Sequence, residues 1–204
     1  RAAAGRWRFS VFRPQIVCGH AVGSPMNLVA ALGGYAAVSR ARGEPLRFPG
    51  GTGVLTEATD ADLLARAIVW AGGETACAGE TLNVTNGDVL EWHGLWPSIA
   101  EVFGMAPGEP SPCRLAEEMP NHAGVWDAVV AEHGLRPNTM DGLIGSSWQF
   151  ADAAFGFGAR GGPGAVTLLS TVRIRQLGFG ECVDTEQMLV RQLRELQARR
   201  ILPR

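Results

Sequence analysis

The chain has 204 residues, 46% hydrophobic and 19% charged, a composition that suits one folded α/β or α+β region and argues against disorder. Its formal net charge of -2 supplies no basic field of the kind that sequence-independent phosphate binding needs, so no nucleic-acid partner is expected. Every one of the eighteen Lys/Arg positions is arginine, which removes Schiff bases, a P-loop lysine and any lysine-assisted proton relay from the chemistry open to these residues.

In chain order, the run Trp7–Val17 is rich in Val, Ile and Phe with Pro14 toward its end, and predicts a strand buried on both faces, then a loop. Such a strand belongs in a parallel sheet, and the segments after it supply few equivalents to pair with. After Ser24-Pro25 the apolar spacing of MNLVAALGGYAAVSRARG predicts a helix stopped at Gly43. LRFPGGTGVLTEAT reads as a short strand, a glycine-rich turn and a second extended piece. Thr59 is placed as N-cap of the helix DADLLARAIVWAGG, with Asp60 and Asp62 in its first turn.

ETLNVTNGD predicts a strand and an Asn-Gly turn. In LEWHGLWPSIAEVFG, Trp92, Leu95, Trp96, Ile99 and Phe103 recur at helical spacing, so one face carries the aromatics. Met105–Pro112 is a Pro- and Gly-rich connection. Helices follow over RLAEEMPNHAGVWDAVVAEHG, broken near Pro120, and over TMDGLIG, SSWQFADAAFGFG and DTEQMLVRQLRELQARRIL. In the last, Leu189, Leu193 and Leu196 share a face.

The motifs carry little chemistry by themselves. Cys18, Cys77, Cys113 and Cys182 are scattered without zinc spacing and read as reduced packing residues. No apolar stretch approaches the length of a bilayer span and no signal-peptide core precedes the first strand, so the expected location is cytoplasmic, without a membrane partner. Arg1 opens straight into Ala-rich sequence, which reads as an internal start. Gly156-Phe157-Gly158-Ala159-Arg160-Gly161 spells the dinucleotide fingerprint, but it follows a helix instead of a strand and is read as a loop. Tyr35, the only tyrosine, has Ser39 four positions on where a proton-donating pair would have lysine; it lies on the helix's apolar pattern and is read as core. The four histidines lack metal spacing, no serine sits in a nucleophile elbow, and no metal is expected. Asn83-Val84-Thr85 falls inside a predicted strand and is given no meaning.

The segments FSVFRPQIVCGHAVGSPMNLVAALGGYAAV, GEPLRFPGG, TDADLLARAIVWA, ETLNVTNGDVLEWHGLWPSIAEVFG and WQFADAAFGFG, in this order, resemble the second half of progesterone 5β-reductase/iridoid synthase-like enzymes, which are extended short-chain dehydrogenase/reductases. The resemblance implies an α/β fold: the end of a Rossmann domain followed by a mainly helical substrate-binding domain, read as a single region over residues 1–204. The family's glycine-rich first loop and its catalytic tyrosine and lysine belong upstream, so no catalytic residue is assigned here. The resemblance also implies NADPH, or NADH, as cofactor. It maps the nicotinamide side to Pro14, Ile16 and Val17, and the loop after the cofactor phosphates to Ser24, Pro25 and Met26.

For substrate, the resemblance aligns Thr56, Trp148, Gln149 and Phe150; aromatics there suit a flat apolar ligand and exclude water around a forming enolate. This chain has Trp148-Gln149-Phe150 where the plant enzymes have Trp-Trp-Phe, which loosens the tie to steroid or iridoid substrates. The implied activity is reduction of an activated C=C or carbonyl of a small apolar substrate, by a protein compatible with a homodimer and with this chain inactive in isolation. Two other readings stand beside it: a nucleotide-sugar epimerase or dehydratase of the extended family, and a non-catalytic ligand-binding module. If the strand's neighbours are absent, the apolar faces of the Phe9–Val17 strand and of the helix after it are expected to be exposed.

Overall fold

The computed structural model describes residues 7–51, 55–158 and 166–204. Its elements in chain order are β1 (Val11–Pro14), β2 (Ile16–Cys18), α1 (Leu28–Ala41), β3 (Leu46–Arg47), β4 (Leu55–Thr56), β5 (Ala58–Asp60), α2 (Ala61–Gly73), β6 (Thr81–Val84), β7 (Leu90–Glu91), α3 (Trp92–Val102), β8 (Pro107–Gly108), α4 (Leu115–Glu118), α5 (Ala123–Glu132), α6 (Met140–Leu143), α7 (Ser147–Ala154), α8 (Val172–Gln176) and α9 (Thr185–Ala198). They fall into two compact units. The first comprises residues up to Cys18, Glu57–Val89 and Thr167–Thr185; the second comprises Gly19–Thr56, Leu90–Val166 and Glu186–Arg204.

In the first unit the chain from Val11 to Cys18 runs parallel to two partners. Val11–Pro14 pairs with Thr81–Val84, and Ile16–Cys18 pairs with Ala58–Asp60. Parallel pairing demands crossover connections, and α2 supplies one between β5 and β6. The core of this unit gathers Leu63, Ala67 and Ala71 of α2 with Leu82, Val84, Ile174 and Phe179. Thr59 does not cap α2. It lies in β5, where its hydroxyl donates to Val84 O at 2.9 Å, and Asp60 is the cap, accepting from the Asp62 and Leu63 N–H groups at 2.7 and 3.3 Å. Asp has the better-placed acceptor because it is the last extended residue before the helix.

The strand is not buried on both faces. Trp7, Phe9, Val11 and Val17 are 52, 45, 41 and 40% exposed, because among the described residues β1 and β2 each have one strand partner. The helix half of the expectation fails differently: α1 is buried over eleven of its fourteen residues, inside the second unit.

The second unit is helical around α1, which packs against α5 and α7. Gly34 makes the approach of α7 close, since a Cβ there would lie 2.2 Å from Ile144 Cδ1 and 3.4 Å from Trp148 Cη2. The aromatic face of α3 is buried as its spacing predicts: Trp92, Leu95, Trp96, Ile99 and Phe103 are all at most 3% exposed. Phe48 and Phe155 complete an aromatic cluster, edge-on to each other at 5.5 Å, with Phe48–Trp96 at 5.0 Å and Trp92–Phe155 at 4.9 Å. Such T-shaped contacts add to burial. The connection after Met105 contains β8, pairing with β3, and α8 was not legible from periodicity. Leu189, Leu193 and Leu196 of α9 are buried together, with Met188.

None of the four cysteines is in a disulfide among the described residues, and burial together with the Asp60 carboxylate pushes the Cys18 thiol up to about 12. No helix among the described residues is long and apolar enough to cross a membrane.

Candidate functional site

Ser147 organises the candidate site in the second unit. Its hydroxyl accepts from the Asn27 N–H at 3.1 Å and donates to Ser24 O at 2.9 Å. Asn27 itself caps α1, its Oδ1 accepting from Ala30 N–H at 3.0 Å while Nδ2 donates to Ala21 O at 2.8 Å. The Ser24–Asn27 loop is therefore pinned to the first residue of α7, beside Trp148, Gln149 and Phe150. Of the loop residues named from the sequence, Ser24 is half-buried, while Pro25 and Met26 are exposed.

The four substrate-side residues differ in what they offer. Trp148 is buried at 3% and lies over Gly34 of α1. Gln149 is exposed and Phe150 half-buried. Thr56 is buried in β4, opposite Leu90 of β7. The α7 helix ends against α3, where Trp92 Nε1 donates to Ala154 O at 2.9 Å. Asp152, on the same helix, is buried and takes the Leu115 and Ala116 N–H groups at 2.7 and 3.1 Å, so it caps the start of α4. Desolvation raises its carboxyl above the usual value, against the pull of those hydrogen bonds and Arg114.

Pro14, Ile16 and Val17 belong to the first unit. Pro14 ends β1, and the carboxyl ends of parallel strands are where α/β sheets open their ligand crevices; Ile16, which opens β2, is half-buried and Val17 is 40% exposed. An exposed Val and a half-buried Ile suit the apolar face of a nicotinamide ring.

Tyr35 donates its hydroxyl to Arg47 O at 2.9 Å. Burial first, then the neighbouring Cys113, pushes its phenol up to about 12, the wrong direction for proton transfer near neutral pH. In the fingerprint-like run, Gly156, Phe157 and Gly158 follow α7 directly, and Ala159, Arg160 and Gly161 lie outside the described residues, as do residues 52–54 of the glycine-rich turn. Among the described residues no group of three His, Cys, Asp or Glu side chains is placed to hold a metal ion.

Sequence reasoning missed Ser147 and Asp152, whose partners are distant in the chain, and Asn27, whose side-chain partners Ala21 and Ala30 are local and whose residue type ahead of the helix was a legible cap signal. It also missed His93, whose ring stands edge-on to Phe48 at 4.9 Å with Nε2 buried and without a hydrogen-bond partner among the described residues.

No protein-family model matches the chain. An (S)-8-oxocitronellyl enol synthase from Camptotheca acuminata is 31% identical over 202 residues, 96% of this chain and 50% of that protein. Another from Nepeta cataria is 36% identical over 154 residues, 72% of this chain and 39% of that one. A 3-oxo-Δ4,5-steroid 5β-reductase from Arabidopsis thaliana is 34% identical over 155 residues, again 72% and 39%. The chain thus spans at most about half the length of these relatives.

Among solved structures, the terminal R domain of the myxalamid PKS-NRPS pathway superposes with a TM-score of 0.62 at 18% identity, over 96% of this chain and 45% of that one. An epimerase from Methanothermobacter thermautotrophicus gives 0.57 at 17% identity, over 94% and 44%. At these identities the likeness shows the fold, an α/β architecture shared with about half of each chain.

Proposed function

This chain belongs with the progesterone 5β-reductase/iridoid synthase-like short-chain reductases, matching about half their length, and from that premise we propose that it forms the substrate-side part of an NADPH-dependent reductase. The reaction would be reduction of an activated C=C or carbonyl in a small apolar molecule. The bound cofactor supplies the hydride; the protein orients the substrate and excludes water.

Within this reading, Ile16 and Val17 hold the nicotinamide face, with Pro14 stiffening the strand end that presents them. The Ser24–Met26 loop, fixed by Ser147, flanks the cofactor phosphates just ahead of the α1 N-terminus. Phe150 and Gln149 line the substrate side, with Thr56 buried in β4. Trp148 acts beneath them as the packed base of α7 on Gly34.

One observation carries the division of labour. The sole tyrosine is hydrogen-bonded to Arg47 O with its phenol pushed up to about 12, and the sequence has no lysine to lower it. The proton-donating pair is therefore not among these 204 residues. Sequence similarity above 30% to the enol synthases and the steroid reductase favours reduction over epimerisation, for which only fold-level likeness speaks.

A chimera tests the proposal: the matched half of the Nepeta cataria relative is replaced by this chain, and NADPH oxidation is followed with 2-cyclohexen-1-one. Enone-dependent oxidation is expected. A chimera that binds NADPH yet shows no enone-dependent rate would overturn the reading.

A further inference from the structure

In the first unit, Thr85 follows the last residue of β6 and is 5% exposed, yet its hydroxyl makes no hydrogen bond among the described residues. A buried hydroxyl without a partner is costly, so it points to something that meets it. Thr85 lines a recess of about 10 Å³. Val84, Ile174 and Phe179 give it apolar walls, and Thr171, Arg175 and Glu181 bring polar groups to it. None of the residues assigned to cofactor or substrate lines it.

The volume is about that of one water or one ligand oxygen, and charge decides between them. Two neighbouring arginines are paired, Arg66 with Glu181 and Arg173 with Glu80. Arg175 has no carboxylate partner among the described residues; its Nε–H donates to the Thr171 hydroxyl at 3.3 Å, which leaves both amino groups over. The guanidinium lies against the Asn86-Gly87 turn, where Gly87 has φ +104° and a Cβ would stand 2.7 Å from Arg175 Nη2. With Glu181 already paired, the recess has one uncompensated positive charge beside it.

A water in the recess would answer the Thr85 hydroxyl and leave that charge as it is; an anion answers both. A carboxylate has two oxygens, and a bidentate guanidinium takes both. A tetrahedral phosphate group has enough to place one oxygen in the recess, accepting from Thr85, and two more against the Arg175 amino groups.

We propose that this recess binds a phosphate group, free or as a monoester, through Thr85 and Arg175. The inference goes beyond the reductase reading and does not depend on it.

Isothermal titration of the chain with inorganic phosphate and with glycerol 2-phosphate tests it. Acetate serves as control, and sodium chloride holds the ionic strength constant so that screening cannot mimic binding. Saturable phosphate binding is expected, with acetate weaker; which of the two phosphates binds tighter distinguishes the free ion from a monoester. Arg175→Gln should weaken binding at least tenfold and Thr85→Val, which removes only the hydroxyl, several-fold. Arg175 is exposed, so Arg175→Gln keeps the test open if Thr85→Val fails to fold. No saturable binding, acetate binding as tightly as phosphate, or binding unchanged in both folded variants would overturn the proposal; phosphate held in spite of both variants would sit elsewhere, the loop before α1 included. Neither NADPH nor an enone enters this assay, so its failure leaves the reductase reading standing, and an inactive chimera leaves the phosphate site standing.

Discussion

Ser147 and Asn27 are 120 positions apart in sequence, yet the Ser147 hydroxyl accepts from the Asn27 backbone N–H at 3.1 Å and donates to Ser24 O at 2.9 Å. One side chain thereby ties the loop before α1 to the start of α7. Ser147→Ala leaves a buried N–H without its acceptor and frees the Ser24 carbonyl. The expected cost is about 1–3 kcal/mol in urea unfolding, while Ser147→Thr, which keeps the hydroxyl, should lose less. Equal stability of wild type and the Ala variant would show that water replaces the bridge.

Asp152 makes a second tie, and its ionisation gives it a pH signature. Asp152→Ala should cost about 1–2 kcal/mol through loss of the cap on the Leu115 and Ala116 N–H groups. Burial raises the folded carboxyl above its usual 3.8, so the folded chain binds that proton more tightly than the unfolded chain does. Through this group, stability therefore rises as pH falls from above the folded value toward the unfolded one. Relative to Asp152→Asn, which cannot titrate, wild type should gain stability between about pH 7 and about pH 4. A gap that moves the other way would mean that the hydrogen bonds outweigh desolvation.

Two glycines should respond to alanine with opposite signs. A Cβ at Gly50 would lie 2.5 Å from the Phe155 carbonyl oxygen and 2.8 Å from Phe155 Cβ, beside the Gly51 N–H bond to that same oxygen. Gly50→Ala should lower stability by about 1–3 kcal/mol. Gly72, in α2, faces open space, so Gly72→Ala should raise stability by roughly 0.5–1 kcal/mol. Thermal melts of the two variants check both signs.

The aromatic face of α3 and the leucine face of α9 were legible because both are long enough for a 3.6-residue period to repeat and each meets a single core. β8 and α8 were not, since two and five residues carry no period. The α2 cap was placed one residue early because Thr59 and Asp60 are both good caps by type, and only the β5 ladder shows which is still extended. The strand's burial was misjudged for a different reason: an apolar run reports the neighbours a strand can take, and the described residues give β1 one partner. At the candidate site, residue types pointed to Trp148 and Phe150, but burial separates a packed Trp148 from a half-buried Phe150, and no local pattern reveals bridges such as Ser147.

Trp7, Phe9 and Val11 project exposed apolar surface from one stretch of chain, with the Trp7 and Phe9 rings 6.1 Å apart. The chain should accordingly enhance the fluorescence of an apolar dye such as ANS while folded. The double variant Phe9→Ser/Val11→Thr should lower that enhancement several-fold without changing far-UV circular dichroism. No change in dye binding would place the sticky surface elsewhere.

Most directly, the account is tested by the initial rate of NADPH oxidation with 2-cyclohexen-1-one in the presence of this chain alone. With Tyr35 tied to Arg47 O and no ammonium side chain available, the rate should equal that of buffer, for wild type and Tyr35→Phe alike. A rate well above buffer that Tyr35→Phe abolishes would contradict it.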